Sequence, residues 1–150
     1  MKFSKKALTA LLLATGVCVA NGALAGPSVT ITFKNLSSTA NATYSILGTN
    51  ESITNTNASP KPVVTVLKGA ADSYTVSSQL LNVTFANVRY TIGTKSCVFL
   101  TTFVATSSAT GDVTPKWSKN VTADSGVTCN ATITSTNPTT YAWNVEFTMK

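Results

Sequence analysis

The sequence predicts an all-β chain: a single-domain antiparallel β-sandwich of about eight strands, Greek-key-like, tied by one disulfide. Three observations carry this. The first is composition: 43% of the 150 residues are apolar and only 11% charged, with six Phe, four Tyr and abundant Thr and Val. Low charge with that apolar content excludes disorder, and branched and aromatic side chains fit a pleated, half-buried surface better than a helix. The second is a two-residue apolar period in several short runs, with no helical period and no tandem repeat after residue 25. The third is a pair of cysteines, Cys97 and Cys129, each in a strand-like run of a chain that reads as exported.

Residues 1–25 read as a cleaved secretory signal peptide of bacterial style, and 26–150 as the β-sandwich domain. Lys2, Lys5 and Lys6 give a basic start, Ala7 to Ala20 is a short apolar run, and Ala23-Leu24-Ala25 places small residues where a signal peptidase reads them. The run is too short for a permanent membrane anchor. Cys18 follows Val17, where a lipidation site requires a small residue, so no acyl group is expected. Cleavage falls before Gly26, and the product is secreted or periplasmic. Loss of the three leader lysines lowers the net charge from +6 to +3.

In order, Val29 to Lys34 alternates with Val29, Ile31 and Phe33 inward, and Tyr44 to Leu47 makes a short strand. Gly48 to Pro62 has no apolar period and reads as a surface loop. Val63 to Leu67 and Ser73 to Ser77 read as the two arms of a hairpin. The apolar phase is odd through Leu81, Val83 and Phe85, then even through Val88, Tyr90 and Ile92, which predicts a bulge or a change of sheet at Ala86-Asn87. Gly93-Thr94 turns the chain into Cys97 to Ala105, a run apolar on both phases. Such a strand needs cover on both faces and belongs inside a sheet.

Thr106 to Asn120 reads as a second loop, with Trp117 inside it. Val127 to Thr134 alternates with Cys129 inward. Tyr141, Trp143, Val145, Phe147 and Met149 then share one face of a terminal strand, which should pair antiparallel with Val127 to Thr134. Left alone in an exported chain, Cys97 and Cys129 are expected to bond to each other. The loop they close, about thirty residues, is worth on the order of 3–4 kcal/mol in chain entropy.

Chemistry is sparse. With no histidine, the Ser-His-Asp and Cys-His arrangements are excluded within the chain, and zinc loses its commonest ligand. Glu51, Asp72, Asp112, Asp124 and Glu146 are too scattered for a calcium loop, and no Gly-rich phosphate loop occurs. No catalytic residue, cofactor or metal ligand is therefore assigned, and an enzyme is not expected. The basic residues stand singly, without the concentrated patch that nucleic acid requires. Trp117 is the candidate ligand contact, as a ring platform in a loop.

The expected function is a non-catalytic interaction module outside the cytoplasm, an adhesin- or matrix-like protein whose partner is a protein or a glycan. Membrane contact by a cytolysin-like sandwich is the alternative, and inhibition of another enzyme a third. The two long loops hold a single aromatic residue, which favours the binding module, because membrane-active loops seat aromatics in the lipid interface.

Overall fold

The structure, a computed structural model, describes residues 26–150; the expected signal peptide, 1–25, lies outside the described residues. The described residues form ten strands: β1 (Ser28–Asn35), β2 (Ala42–Ser45), β3 (Ala58–Ser59), β4 (Thr65–Val66), β5 (Ala71–Ser77), β6 (Val83–Ile92), β7 (Lys95–Ser107), β8 (Val113–Ala123), β9 (Cys129–Thr136) and β10 (Trp143–Met149). Eight have four residues or more and two are two-residue pairings, in keeping with the expected eight. One helix, α1 (Thr49–Asn57), lies between β2 and β3.

Two five-stranded sheets face each other, one in the order β3-β5-β1-β10-β9 and the other β4-β2-β6-β7-β8. They are called here the first and second sheets. Every pairing is antiparallel except β1 with β10, where Val29 stands opposite Trp143 and Asn35 opposite Met149. A parallel pair needs a long crossover. Here everything between the two strands serves as that crossover, so no local signal announces the pairing.

The core is the layer between the sheets. Val29, Ile31 and Phe33 from β1 and Trp143, Val145, Phe147 and Met149 from β10 are buried, as their alternation requires. They meet Val88 and Tyr90 of β6 and Cys97, Phe99 and Phe103 of β7. Phe33 stacks on Tyr90, and Phe99 on Phe147 with ring centres 4.7 Å apart. The Cys97–Cys129 disulfide joins β7 in the second sheet to the start of β9 in the first. It is therefore an inter-sheet tie beside this aromatic layer.

Several local expectations are corrected. The stretch 48–62 contains α1 rather than being all loop. Its buried residues are Glu51 and Thr54, so it is anchored by polar groups and leaves no apolar stripe to read. The hairpin joining 63–67 to 73–77 does not form. β4 pairs with β2 in the second sheet and β5 with β1 and β3 in the first, so the turn between them crosses sheets. Asn35, fully buried at the end of β1, fixes that crossing: its Nδ2 donates to the carbonyls of Ala40, Val66 and Leu67.

β6 runs unbroken, with no bulge. Thr84, Ala86, Val88 and Tyr90 point inward throughout, while Val83 and Phe85 point outward. A small and a polar inward residue, opposite two apolar outward ones, produced the apparent phase slip. Residues 113–120 are strand β8, not loop. The turn before it is short, with Gly111 at φ 88°.

Candidate functional site

β7 is the fully flanked strand that its two apolar phases predict, paired with β6 on one side and β8 on the other. Only its inner phase is covered by the opposite sheet. On the outer face of the second sheet the three registers align into rows: Val83–Val104–Lys116, Phe85–Thr102–Ser118, Asn87–Leu100–Asn120 and Arg89–Val98–Thr122. Val98 and Leu100 are half-buried and Val104 is 40% exposed. This face carries an apolar strip between polar margins, with Phe85 as its aromatic member.

The helix α1 walls one side of this face. β2 pairs with β6 only at Arg89, Tyr90 and Thr91, so the backbone of β6 below Arg89 lacks a strand neighbour there. α1 takes that place: the Asn87 N–H donates to Thr54 Oγ1 at 2.9 Å, and the same hydroxyl donates to the Asn50 carbonyl. The helix start is pinned by Glu51, whose carboxylate accepts the N–H groups of Leu47 and Gly48 and pairs with the Arg89 guanidinium at 3.0 Å. Burial alone would raise the Glu51 pKa. The two amide donors and Arg89 outweigh it, and the carboxyl sits below its ordinary value.

Two hollows flank the helix. One, of about 260 Å³, lies over Asn87, Arg89 and Val98 beside the helix start; the other, of about 470 Å³, is lined by Ile53, Asn57, Leu80 and Phe85. Asn87 Oδ1 is buried with no hydrogen-bond partner among the described residues, at the wall of the first hollow. The face thus combines an apolar floor with the Glu51-paired guanidinium of Arg89, and the unpartnered Asn87 oxygen is buried beneath it.

The carboxylates are each occupied in holding local structure. Glu51 caps α1, Glu146 pairs with Lys34, Asp72 accepts the Val63 N–H, and Asp124 accepts the N–H and hydroxyl of Ser96. Asp112 accepts the Thr110 hydroxyl. The two Ser96 donors hold the Asp124 carboxyl below its usual value. Among the described residues no three His, Cys, Asp or Glu side chains gather as a metal site, and no helix is long and apolar enough to cross a membrane.

Trp117, expected in a loop, stands on β8, half-buried on the inner phase at the rim of the sandwich. Its indole N–H donates to the Tyr141 carbonyl at 3.1 Å, and its ring lies against Phe103. It closes the side where β8 and β9 approach, a side also tied by Lys119 donating to the Ala131 carbonyl. Trp117 is therefore not brought together with Phe85, Asn87, Arg89 and Leu100. Sequence reasoning missed those residues as a group. The available signal was the second apolar phase of β7, which demanded a cover that the fold does not supply. No known protein family, curated protein or solved structure matches the chain.

Proposed function

We propose that this chain is a non-catalytic interaction module that works outside the cytoplasm, secreted or periplasmic, and holds a protein or glycan partner on the outer face of its second sheet. The observation that carries the reading is β7, apolar on both phases yet covered on one. An uncovered apolar row bordered by Asn87, Arg89, Thr102 and Asn120 has the make-up of a contact surface, an apolar centre with a polar rim. The inter-sheet disulfide and the leader-like start support export. Engagement of each carboxylate in local structure supports binding over catalysis.

The test is binding of the processed protein to a glycan array and to intact cell surfaces. Leu100→Lys and Thr102→Lys place charge on the proposed face, and Thr32→Lys places it on the outer face of the first sheet. Loss of binding in the first two, with Thr32→Lys unchanged, is the expected result. Equal binding by all three overturns the placement of the site, and binding to neither target overturns the function.

One observation favours membrane contact as the second reading. Leu47, Val64, Leu67 and Leu80 are 77%, 67%, 60% and 63% exposed, all in connections between elements. Dye leakage from lipid vesicles at protein concentrations that show no glycan or protein binding would select it.

A further inference from the structure

The residue expected to become the first of the mature chain is built into the fold. Gly26 and Pro27 are both buried. The Gly26 nitrogen donates to the Ser78 carbonyl at 2.6 Å. A Cβ on Gly26 would stand 2.1 Å from the Leu80 carbonyl oxygen and 3.2 Å from that of Ser78. Two backbone oxygens of the β5–β6 connection thus converge on Gly26, and glycine alone fits between them. The run Ser73 to Val88, which spans this connection with the end of β5 and the first part of β6, contains no Asp, Glu, Lys or Arg; Asp72 and Arg89 lie just beyond it.

We infer that the Ser78–Leu80 connection is a docking site for the α-ammonium group of Gly26, filled when the leader is removed. The inference rests on the export reading. Hydrolysis of the Ala25–Gly26 amide consumes one water, leaves a carboxylate on Ala25 and frees the Gly26 amine, which is protonated at neutral pH. One neutral N–H donor then becomes a cation with three donors, one of them already held by the Ser78 carbonyl, and hydrogen bonds to an ionised group are about twice as strong as neutral ones. Peptidases take the residues around a scissile bond in extended, accessible form, whereas Gly26 and Pro27 are buried here. Cleavage therefore precedes folding, and the new amine locks the connection as the domain closes.

The docked segment also matters to the candidate site. Ser78, Gln79 and Leu80 wall the hollow beside Ile53 and Phe85, so the amine orders one border of the proposed contact face.

The experiment compares three proteins: one beginning at Gly26, made by removing an engineered tag so that natural processing is not required; the same protein acetylated at Gly26; and one retaining Ala25. Thermal unfolding is followed from pH 6 to pH 10. Burial lowers an amine's pKa and carbonyl acceptors raise it; docking as inferred requires the acceptors to prevail, so that the folded value of the amine is raised. Its stabilisation is complete below the unfolded value of about 7.7–8.0 and is lost as pH rises through the higher folded value. The free-Gly26 protein is expected to melt several degrees above the other two at pH 6, with the gap closing toward pH 10. A gap that persists unchanged at pH 10 is steric and overturns the inference, as does the absence of any gap at pH 6. Gly26→Ala, with the amine free, is expected to speed proteolysis within 78–82; unchanged proteolysis also counts against the site. Intact mass of the naturally exported protein is a separate measurement. A different natural N-terminus defeats the expected cleavage position, while the tag-derived protein still reports on the docking site.

Discussion

Trp143→Ala tests the sandwich most directly. Trp143 is 2% exposed at the start of β10, opposite Val29 of β1 and Thr136 of β9. Its ring lies 6.0 Å from Phe103 across the layer, and its indole N–H donates to Thr101 Oγ1 at 2.9 Å. Thr101, itself fully buried, donates its own hydroxyl hydrogen bond to the Ser118 carbonyl of β8. One side chain thus links β10 of the first sheet to β7 and β8 of the second. Truncation to alanine removes a buried indole and leaves a cavity, costing about 3–5 kcal/mol, against a typical domain stability of about 5–15 kcal/mol. Trp143→Phe keeps most of the ring but deprives Thr101 Oγ1 of its donor, for about 1–3 kcal/mol. Glu146→Ala, outward on the same strand, breaks only the partly exposed pair with Lys34 at 2.6 Å and costs about 0–1 kcal/mol. Urea unfolding followed by far-UV circular dichroism should rank the three in that order, with the alanine midpoint lowered by more than about 1 M for a slope of about 1–3 kcal/mol/M. An unchanged midpoint for Trp143→Ala refutes the reasoning. If partner binding also vanished, the indole would be a ligand platform and not a core residue.

Two further outcomes follow from the same interior. Replacing Cys97 or Cys129 by Ser removes an inter-sheet tie worth on the order of 3–4 kcal/mol and should lower the melting temperature by roughly 10 °C, with the variants indifferent to reductant; titration of two reactive thiols in the native protein would contradict this. At alkaline pH, burial raises Tyr44 to about 12 and also raises Tyr74 and Tyr90, whose hydroxyls meet at 3.2 Å in the core. A raised folded value means stability held below the unfolded value of about 10 and lost as pH rises above it, so phenolate absorbance from these three should appear together with unfolding; ionisation of these three near pH 10 in a still-folded protein would defeat the argument.

Strands were legible wherever one face is buried and the other wet. β1, β9 and β10 alternate cleanly, and Val29, Ile31, Phe33, Val145, Phe147 and Met149 are all buried on the expected phase. The two-residue turn of the β6–β7 hairpin was legible through Gly93, which takes φ 59°, the left-handed conformation such turns require. What failed were elements held by polar anchors. α1 is fixed by Glu51, Thr54 and Arg89, and the crossing from β4 to β5 by Asn35. Hydrophobic period carries no record of a buried amide or carboxylate that satisfies backbone groups, so the first stretch read as a surface loop and the second as a hairpin. β6 failed for a related reason: its inward positions Thr84 and Ala86 are small or polar, and its outward Val83 and Phe85 are apolar.

That inversion on β6 and the double phase of β7 turn out to be one feature. Val83 and Phe85 on one strand lie beside Val104 and Thr102 on the next, and Leu100 and Val98 extend the strip toward Arg89. Read strand by strand, the pattern demanded either a phase slip or a second covering layer. Read across the register, it is one outward face on which Val83, Phe85, Val98, Leu100 and Val104 lie around Thr102, apolar in sequence yet without a covering sheet in the fold. Apolar side chains held on a water-facing sheet forgo the gain of burial, about 25 cal/mol per Å², and a domain of this size that keeps them there leaves a surface which a partner can desolvate. The part of the sequence that resisted a one-sheet reading is therefore the uncovered outer face of β6 and β7, the face proposed above for contact, while Trp117, the residue its aromatic character singled out, is used to close the rim of the core.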